Sequence, residues 1–507
     1  MNYIKYKYLL CLGLVMISGA AFSQKGTLGV FDGHGDIGKD VKPGSALYNT
    51  KTQEYEMSGS GYNIWFDHDE FHFLWKKIKG DFIVYARARF VGTGTDPHRK
   101  VGWMARASLD GNAAQVNAVV HGDGLTSLQY RKTTGATTEE IRSSLTHADV
   151  IQLERKGDTY TMRMAKFGEP FVTEQITNIP LGEEVYIGLM LGSHNKDVIE
   201  KGIYSDVRIT VPAPESLIPY RQYLGSNIEL LDIASGKRDV IYYSPKSLQA
   251  PNWTKDGKSL IYNSEGLMYN LSLATRKASV IPTGDVKSNN NDHVISFDGK
   301  MLGLSSAVQE LGGSIVWTVP IGGGTPKQIT PKGPSYAHGW SPDGKTLLFT
   351  GERNKEFDIY SIPSAGGSEK RLTTAQGLDD GSEYTPDGQY IYFNSNRTGT
   401  MQIWRMKADG SEQEPVTNGE FHDWFPHVSP DGKQLLFISF LKEEVDAGDH
   451  PFYKHVYLRI MPIAGGEPKV IAYVYGGQGT INTPSWSPDS KKVAFVSNSG
   501  DIESVNN

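Results

Sequence analysis

Four side chains able to ligate a metal ion recur at matching places in the chain: His293, His338, Glu383 and His427. His293 and His338 stand five residues before Asp298 and Asp343; Glu383 and His427 stand four before Asp387 and Asp431. Just upstream lie Asp292, Asp379, Asp380, His422 and Asp423. Of the six histidines from residue 220 onward, four fall in these lead-in stretches. Imidazole and carboxylate together suit Mn, Zn or Ca. One reading is therefore a divalent metal or substrate centre made by His293, His338, Glu383 and His427. The blander reading is that the same groups bond neighbouring segments and line a wet channel. EFHDWFPH (420–427) is the densest polar cluster. His422 and Asp423 from it, and Lys454 further on, are the acid–base candidates, with no single catalytic residue assigned.

Such residues, far apart in sequence, meet only if the elements carrying them are related by symmetry. A tile of the form W-S-P-D-G-K followed by an apolar strand supplies that relation. It is marked by Asp256, Asp298, Asp343, Asp387, Asp431 and Asp489, at spacings of 42, 45, 44, 44 and 58 residues. A near-constant period of this size means repeated supersecondary units. Asp-Gly tolerates the positive φ of a tight hairpin. Four and six residues after each Asp the side chain is apolar, and the position between is mostly apolar too, as in Leu347-Leu348-Phe349. A strand apolar on both faces is covered on both. A second hairpin follows each of the first five tiles, for example at 316–330 and 359–373. Each unit then has four strands, the content of one propeller blade. The sixth tile (484–497) has no hairpin after it, and the hairpin at 227–241 has no tile before it. Joined, they complete a ring of six and remove two exposed sheet edges.

In such a ring the lead-in stretches converge on the channel mouth, with the loop between second and third strands beside them. After the fifth tile that loop is long, 439–459, and holds His450, Lys454 and His455. Long loops on rigid scaffolds often carry function, although this one can equally pack on the rest of the chain. Arg353 and Arg397 occupy the equivalent loops of two other units. A guanidinium binds a carboxylate in bidentate fashion, so Asp292, Arg353, Asp379, Asp380, Arg397, His450 and His455 form the ligand-binding candidate set. An Arg there also suits tying one blade to the next.

Residues 24–211 have no period. Alternating strands at 81–91, 101–108, 115–121, 127–133, 150–165, 185–192 and 205–211, separated by Gly and Asp turns, read as a two-sheet β-sandwich. Trp65, Trp75, Trp103 and Tyr130 can stack on sugars, though aromatics at strand spacing usually face a core. DHDEFH (67–72) is a lesser divalent-ion candidate. Pro212, Pro214 and Pro219 make 212–219 a stiff, extended linker, and the propeller occupies 220–507. The fold class is all-β. Residues 1–23 carry Lys5 and Lys7, then an apolar run to Ile17 and Ala21-Phe22-Ser23, the pattern of a signal peptide. The expected location is periplasmic or extracellular, with no membrane span after cleavage. Cys11 is the only cysteine, so the mature chain has no thiol. A net charge of -6 excludes a nucleic-acid footprint.

NWTKDGK, WSPDGK, YTPDGQ, VSPDGK and WSPDSK resemble the repeats of TolB-type six-bladed propellers, over roughly residues 219 to 500. That resemblance implies fold more than function. GDFIVYARARF, GWMARAS, IQLERKGDTYT, VYIGLMLGSHN and YSDVRI resemble concanavalin A-like domains of bacterial carbohydrate-active proteins, which implies a glycan partner. Several channel histidines in a propeller also resemble metal-dependent oligogalacturonate lyases. There an ion neutralises a uronate carboxylate while a base takes the adjacent proton. That family has seven blades and this chain six units, so its ligands are not carried over. The expectation is an exported carbohydrate-binding protein, with metal-assisted carbohydrate cleavage as an additional activity to test. The alternative is a non-catalytic periplasmic scaffold gripping a protein partner.

Overall fold

The computed structural model describes residues 28–39 and 41–501. The targeting segment expected at 1–23 lies outside the described residues. Among the described residues no helix is long and apolar enough to cross a membrane.

The first part of the chain forms two seven-stranded antiparallel sheets. One orders Gly33–Ile37, Phe71–Lys79, Glu184–Gly192, Lys100–Arg106, Gln115–His121, Thr126–Arg131 and Glu139–Arg142. The other orders Val172–Ile176, Thr159–Ala165, Val150–Lys156, Phe82–Val91, Asn195–Thr210, Glu54–Gly61 and Ser45–Asn49. Alternate residues of both, including Leu74, Val84, Trp103, Leu153 and Leu189, share one core. The sandwich expectation holds, and Trp103 belongs to that core rather than to a sugar site. The Tyr130 hydroxyl donates to Glu139 at 3.1 Å. Trp75 packs on Phe73 and Tyr186. Asp69 of the DHDEFH stretch is fully buried and paired with Arg131 at 2.7 Å.

Five four-stranded sheets follow, starting with Gln249–Trp253, Asn289–Ile295, Ser335–Trp340, Asp379–Tyr384 and His422–Val428. The sixth blade is built from both ends of the array. Gly225–Asp232 pairs with Lys492–Ser499 over eight residues and with Arg238–Ser244 on its other side. Its expected fourth strand is reduced to one bridge, Trp486 to Val493. Pro484 sits in that stretch and has no N–H to give the ladder.

The tile's chemistry is visible six times. The hydroxyl two residues before the turn Asp donates to it: Thr254 to Asp256, Ser296 to Asp298, Ser341 to Asp343, Thr385 to Asp387, Ser429 to Asp431 and Ser487 to Asp489, at 2.6–2.7 Å. The same carboxylate oxygen accepts the backbone N–H two residues on, as from Lys345 at 3.1 Å, an Asx turn. Gly follows at φ near 70° in five copies, and Ser490 at 59° in the sixth. The tile's Trp ties blades together: Trp340 donates to the Val294 carbonyl and Trp486 to that of His427.

One feature of the innermost strands was not legible in the repeat. All five carry a register shift against the second strand, between Gln249 and Asn252, Asn289 and His293, Ala337 and Gly339, Asp380 and Glu383, and Trp424 and His427. An inserted residue bends the strand and re-aims the side chains beyond it. This decides which candidates reach the mouth.

The connecting segment is extended only at first. Val211 and Ala213 donate to Ser499 and Tyr475. The chain then turns, with Leu217 and Gln222 donating to the Pro214 and Ile218 carbonyls. The expected stiff rod over 212–219 is therefore corrected: the local turn brings Tyr220 and Tyr223 against Phe452 of the long loop. The second sheet of the sandwich also packs on blade five, where Tyr85, Val150, Ala165, Tyr457 and Tyr473 form a common cluster.

Candidate functional site at the wide mouth of the propeller

The lead-in ends of the innermost strands surround a cavity of about 960 Å³ at one mouth of the channel. Asp292, His338 and Asp380 come from blades two, three and four, and His450 and Phe452 from the long loop of blade five. Tyr220 and Tyr223 close the rim. The remaining wall is rich in amides: Gln249, Asn263, Asn289, Asn290, Asn291 and Gln478.

Asp380 is the hub. Its Oδ1 accepts Thr350 at 2.7 Å and lies 2.9 Å from His338 Nε2; its Oδ2 lies 2.9 Å from His450 Nε2. Burial alone pushes such a carboxyl up, but His338 and His450 hold it well below its ordinary value. Burial likewise works against a charged His338, yet Asp380, and then Asp292, raise its pKa. His450 also packs edge-on against Trp424, with ring centroids 4.5 Å apart. Asp292 is held differently. Its Oδ1 accepts Asn482 at 2.8 Å. Burial pushes its pKa up to about 6, with His338 opposing and Asp380 adding to the shift.

The four proposed metal ligands do not meet. His338 is on Asp380 at the wide mouth. His427 donates or accepts at Glu383, 2.7 Å away, and its other nitrogen contacts the Ile481 carbonyl. Glu383 lines a separate cavity of about 380 Å³ on the tile-turn side, among Trp253, Trp340 and Trp486, and burial raises its pKa. His293 is wholly buried near the backbone of Ala250, Ile261 and Asn291, and burial lowers its pKa to about 4. Among the described residues no three His, Cys, Asp or Glu side chains are grouped to hold a metal ion. The residues present therefore do not fit the Mn, Zn or Ca centre expected from spacing. Spacing counted residues but not the strand bulges, which turn His293 and His427 away from the wide mouth.

Other candidates are structural. Arg353 grips Glu369 at 3.0 and 2.7 Å and also donates to Ser335 and the Pro334 carbonyl. Arg397 binds both oxygens of Asp379 at 2.9 and 2.8 Å, donates to Ser395 and Gln413, and stacks on Trp404. Neither guanidinium has a face left for an acidic sugar, and Asp379 is engaged with it. Asp423 accepts Ser439 at 2.6 Å beside Arg459, and burial raises its pKa. His422 accepts the Met401 N–H. Lys454 starts a strand paired to Gly476 and does not line the cavity. His455 joins Glu444 at 2.7 Å and, across the boundary to the sandwich, Glu154 at 3.4 Å. The long loop thus lines the cavity with His450 and packs on the sandwich with His455.

Of the candidates expected from the sequence, Asp292, His338, Asp380 and His450 line this cavity. Sequence reasoning missed the amides, although the run Asn289-Asn290-Asn291 before Asp292 was a readable signal, and it assigned Tyr220 only to the start of the propeller. Arg353→Lys tests the structural assignment. Lysine cannot reproduce the fork, and the loss should be about 1–3 kcal/mol by denaturant melt, with ligand binding at the mouth unchanged. Lost binding at unchanged stability would return Arg353 to the site.

Comparisons with known proteins agree with this geometry. The family model described as TolB beta propeller domain matches residues 330–454. An uncharacterised protein of Agrobacterium fabrum is 46% identical over 272 residues, 54% of this chain and 92% of that protein. The solved structure of a putative TolB from Agrobacterium tumefaciens is 45% identical, covering 55% of this chain and 99% of that one, with a TM-score of 0.52. An oligogalacturonate lyase in complex with manganese aligns at 14% identity over 76% of this chain and 98% of its own, with a TM-score of 0.38, a likeness too small to carry an argument. Six closed blades, the repeated Ser-Pro-Asp-Gly turn and relatives spanned almost end to end lead to one assignment: through its propeller, this chain belongs to the TolB β-propeller family.

Proposed function

We propose that this protein is an exported, periplasmic binding module whose wide propeller mouth holds a peptide segment of a partner protein, without catalysing a reaction. One observation supports this reading above others. The cavity is at the upper end of the roughly 300–1,000 Å³ range of ligand sites, its wall is amide-rich, and two of its imidazoles are engaged with one carboxylate. Amide side chains match the donors and acceptors of peptide groups. A catalytic site instead needs a base or nucleophile free to reach substrate, and His338 and His450 are both tied to Asp380.

A second reading keeps the glycan partner. Tyr220 and Tyr223 are 58% and 42% exposed at the rim, and exposed aromatic faces beside amides also suit sugars. Uronate cleavage loses its support, because Arg353 and Arg397 are engaged elsewhere. Titration calorimetry of the full chain against peptide pools and a panel of neutral and acidic oligosaccharides separates the readings. The expected result is peptide binding that weakens at least tenfold in His450→Ala, with no unsaturated product at 235 nm from polygalacturonate. Product formation that disappears in His338→Ala would replace this reading with a lyase.

A further inference from the structure

The cavity wall is unbalanced in its hydrogen-bonding capacity. Asp292 is 4% exposed. One of its oxygens accepts Asn482; the other takes no hydrogen bond from the described residues. Behind it the Asn482 Oδ1 is buried with no donor. Two more carbonyl oxygens on the cavity wall, Asn289 Oδ1 and Gln478 Oε1, are buried and equally unmatched. The amide orientations of Asn289 and Asn482 are fixed by their own donated bonds, to the Gly266 carbonyl at 2.8 Å and to Asp292. Against these acceptors one orphan donor stands on the wall, Asn291 Nδ2.

Cations within the wall do not fill the deficit. Lys246 lies at the rim, 2.6 Å from Glu265. His338 and His450 face Asp380 rather than Asp292. His338 and His450 thus act on Asp292 only from a distance, and a buried carboxylate without a directly bonded cation or a full set of donors is costly. A positively charged donor relieves that cost by bonding the free oxygen and supplying the missing charge together. A neutral hydroxyl meets one or two acceptors and leaves the charge.

We propose that the segment bound at the wide mouth inserts a protonated side chain, arginine or lysine, whose N–H groups bond to the free oxygen of Asp292 on the cavity wall. Tyr336 also lines the cavity. This inference rests on the peptide reading above and adds the chemical class that the peptide must carry.

The test uses the full chain at pH 7.5 and fluorescent octapeptide pools, N-acetylated, each with one fixed residue: arginine, lysine, citrulline, norleucine or glutamate. A duplicate set with free amino termini distinguishes a side chain from a terminal amine. Arginine and lysine pools should bind at least tenfold tighter than citrulline and norleucine pools, with the glutamate pool weakest. Asp292→Asn should bring the arginine pool down to the level of the citrulline pool measured on the same variant, with a melt confirming that the variant is folded. Arginine and citrulline pools of equal affinity, or an unaltered arginine pool on Asp292→Asn, overturn this inference and leave the peptide reading standing. Selectivity seen only with free amino termini also overturns it. If no acetylated or free pool binds while an oligosaccharide does, the peptide reading falls and takes this inference with it.

Discussion

Asp380→Asn should destabilise the protein by about 3 kcal/mol, the scale on which removing one partner of a buried ion pair acts, and should loosen the loop over 441–453. Asp380 is 5% exposed and joins blade three, through His338 and Thr350, to the long loop of blade five, through His450. Asparagine keeps the shape but leaves the imidazoles without their anion. One of its two terminal atoms becomes a donor, so one accepted bond is lost outright. The pH dependence follows from the directions of the shifts. Asp380 is depressed in the folded state, so its contribution is present above the ordinary carboxylate range and is lost as pH falls through its folded value. His338 is raised, so its contribution is present below the ordinary imidazole value and is lost as pH rises through its folded one. The clamp is strongest between those limits. The gap in stability between wild type and Asp380→Asn should be widest in that window and narrow on both sides. Limited proteolysis should cut the variant within 441–453 first. A variant equal to wild type in denaturant midpoint at pH 6, with an uncut loop, would show that these bonds do not hold the mouth together.

Asp292 behaves in the opposite sense. Its folded pKa is raised from 3.8 to about 6, so the folded state binds the proton more tightly and stability falls as pH rises across that interval. Asp292→Asn removes a charge whose burial outweighs the opposing His338 and His450. It should raise the melting temperature above pH 6 in the absence of ligand, even though it is expected to abolish discrimination for a cation. A gain in stability with a loss of binding is the signature of a group kept for function; a fall in melting temperature above pH 6 would instead make Asp292 a structural carboxylate.

The repeat was legible because its cause is local. Ser or Thr, Asp and Gly at fixed offsets make the Asx turn, and that turn is seen in each blade. Ring closure was legible because an unmatched hairpin at 227–241 and an unmatched tile at 484–497 can only complete one another. The position of a side chain around the channel is a different kind of fact. It depends on a one- or two-residue slip in register between Asn289 and His293, or between Trp424 and His427, and nothing in the side-chain types announces it. Histidine and aspartate also drew attention because they can do chemistry, whereas Asn289–Asn291 form the wall beside Asp292. The arginines misled for a related reason. A bidentate fork suits a ligand carboxylate and a neighbouring Glu369 equally, and only the fold shows which is in reach. In the sandwich, the strands at 33–37, 45–49 and 54–61 were missed because Gly and polar residues break their alternation; Gly33 and Gly35 lie under the Trp75 ring, where a Cβ would come within 3.0–3.4 Å.

The largest effect is expected at Glu229, where the two parts of the chain and the seam of the ring meet. Its carboxylate, 0% exposed, binds Arg208 of the sandwich at 2.6 Å, Arg238 at 2.9 and 3.2 Å, and Ser497 of the closing strand at 2.6 Å. Arg238 also donates to the Tyr473 carbonyl of blade five. Burial works against the charge on Glu229, but the two guanidiniums bring its pKa down to about 2. Glu229→Gln leaves both guanidiniums facing a neutral group, a loss of about 3–5 kcal/mol. The shift in melting temperature should be roughly 2–4 °C per kcal/mol for units of this size. Calorimetry should then resolve two transitions, because the most buried charged link between sandwich and propeller is gone, leaving the Glu154–His455 pair and the aromatic cluster, while each part keeps its own core. Acid provides an internal check. A depressed carboxyl stabilises above its unfolded value near 4.5 and ceases to do so as pH falls through about 2. The difference between wild type and Glu229→Gln should therefore close over that interval, and wild type near pH 2 should acquire the split transition of the variant. A single, unshifted transition for Glu229→Gln at pH 7 would mean that the aromatic contacts of Tyr85, Tyr457 and Tyr473 hold the two parts together without the buried ions.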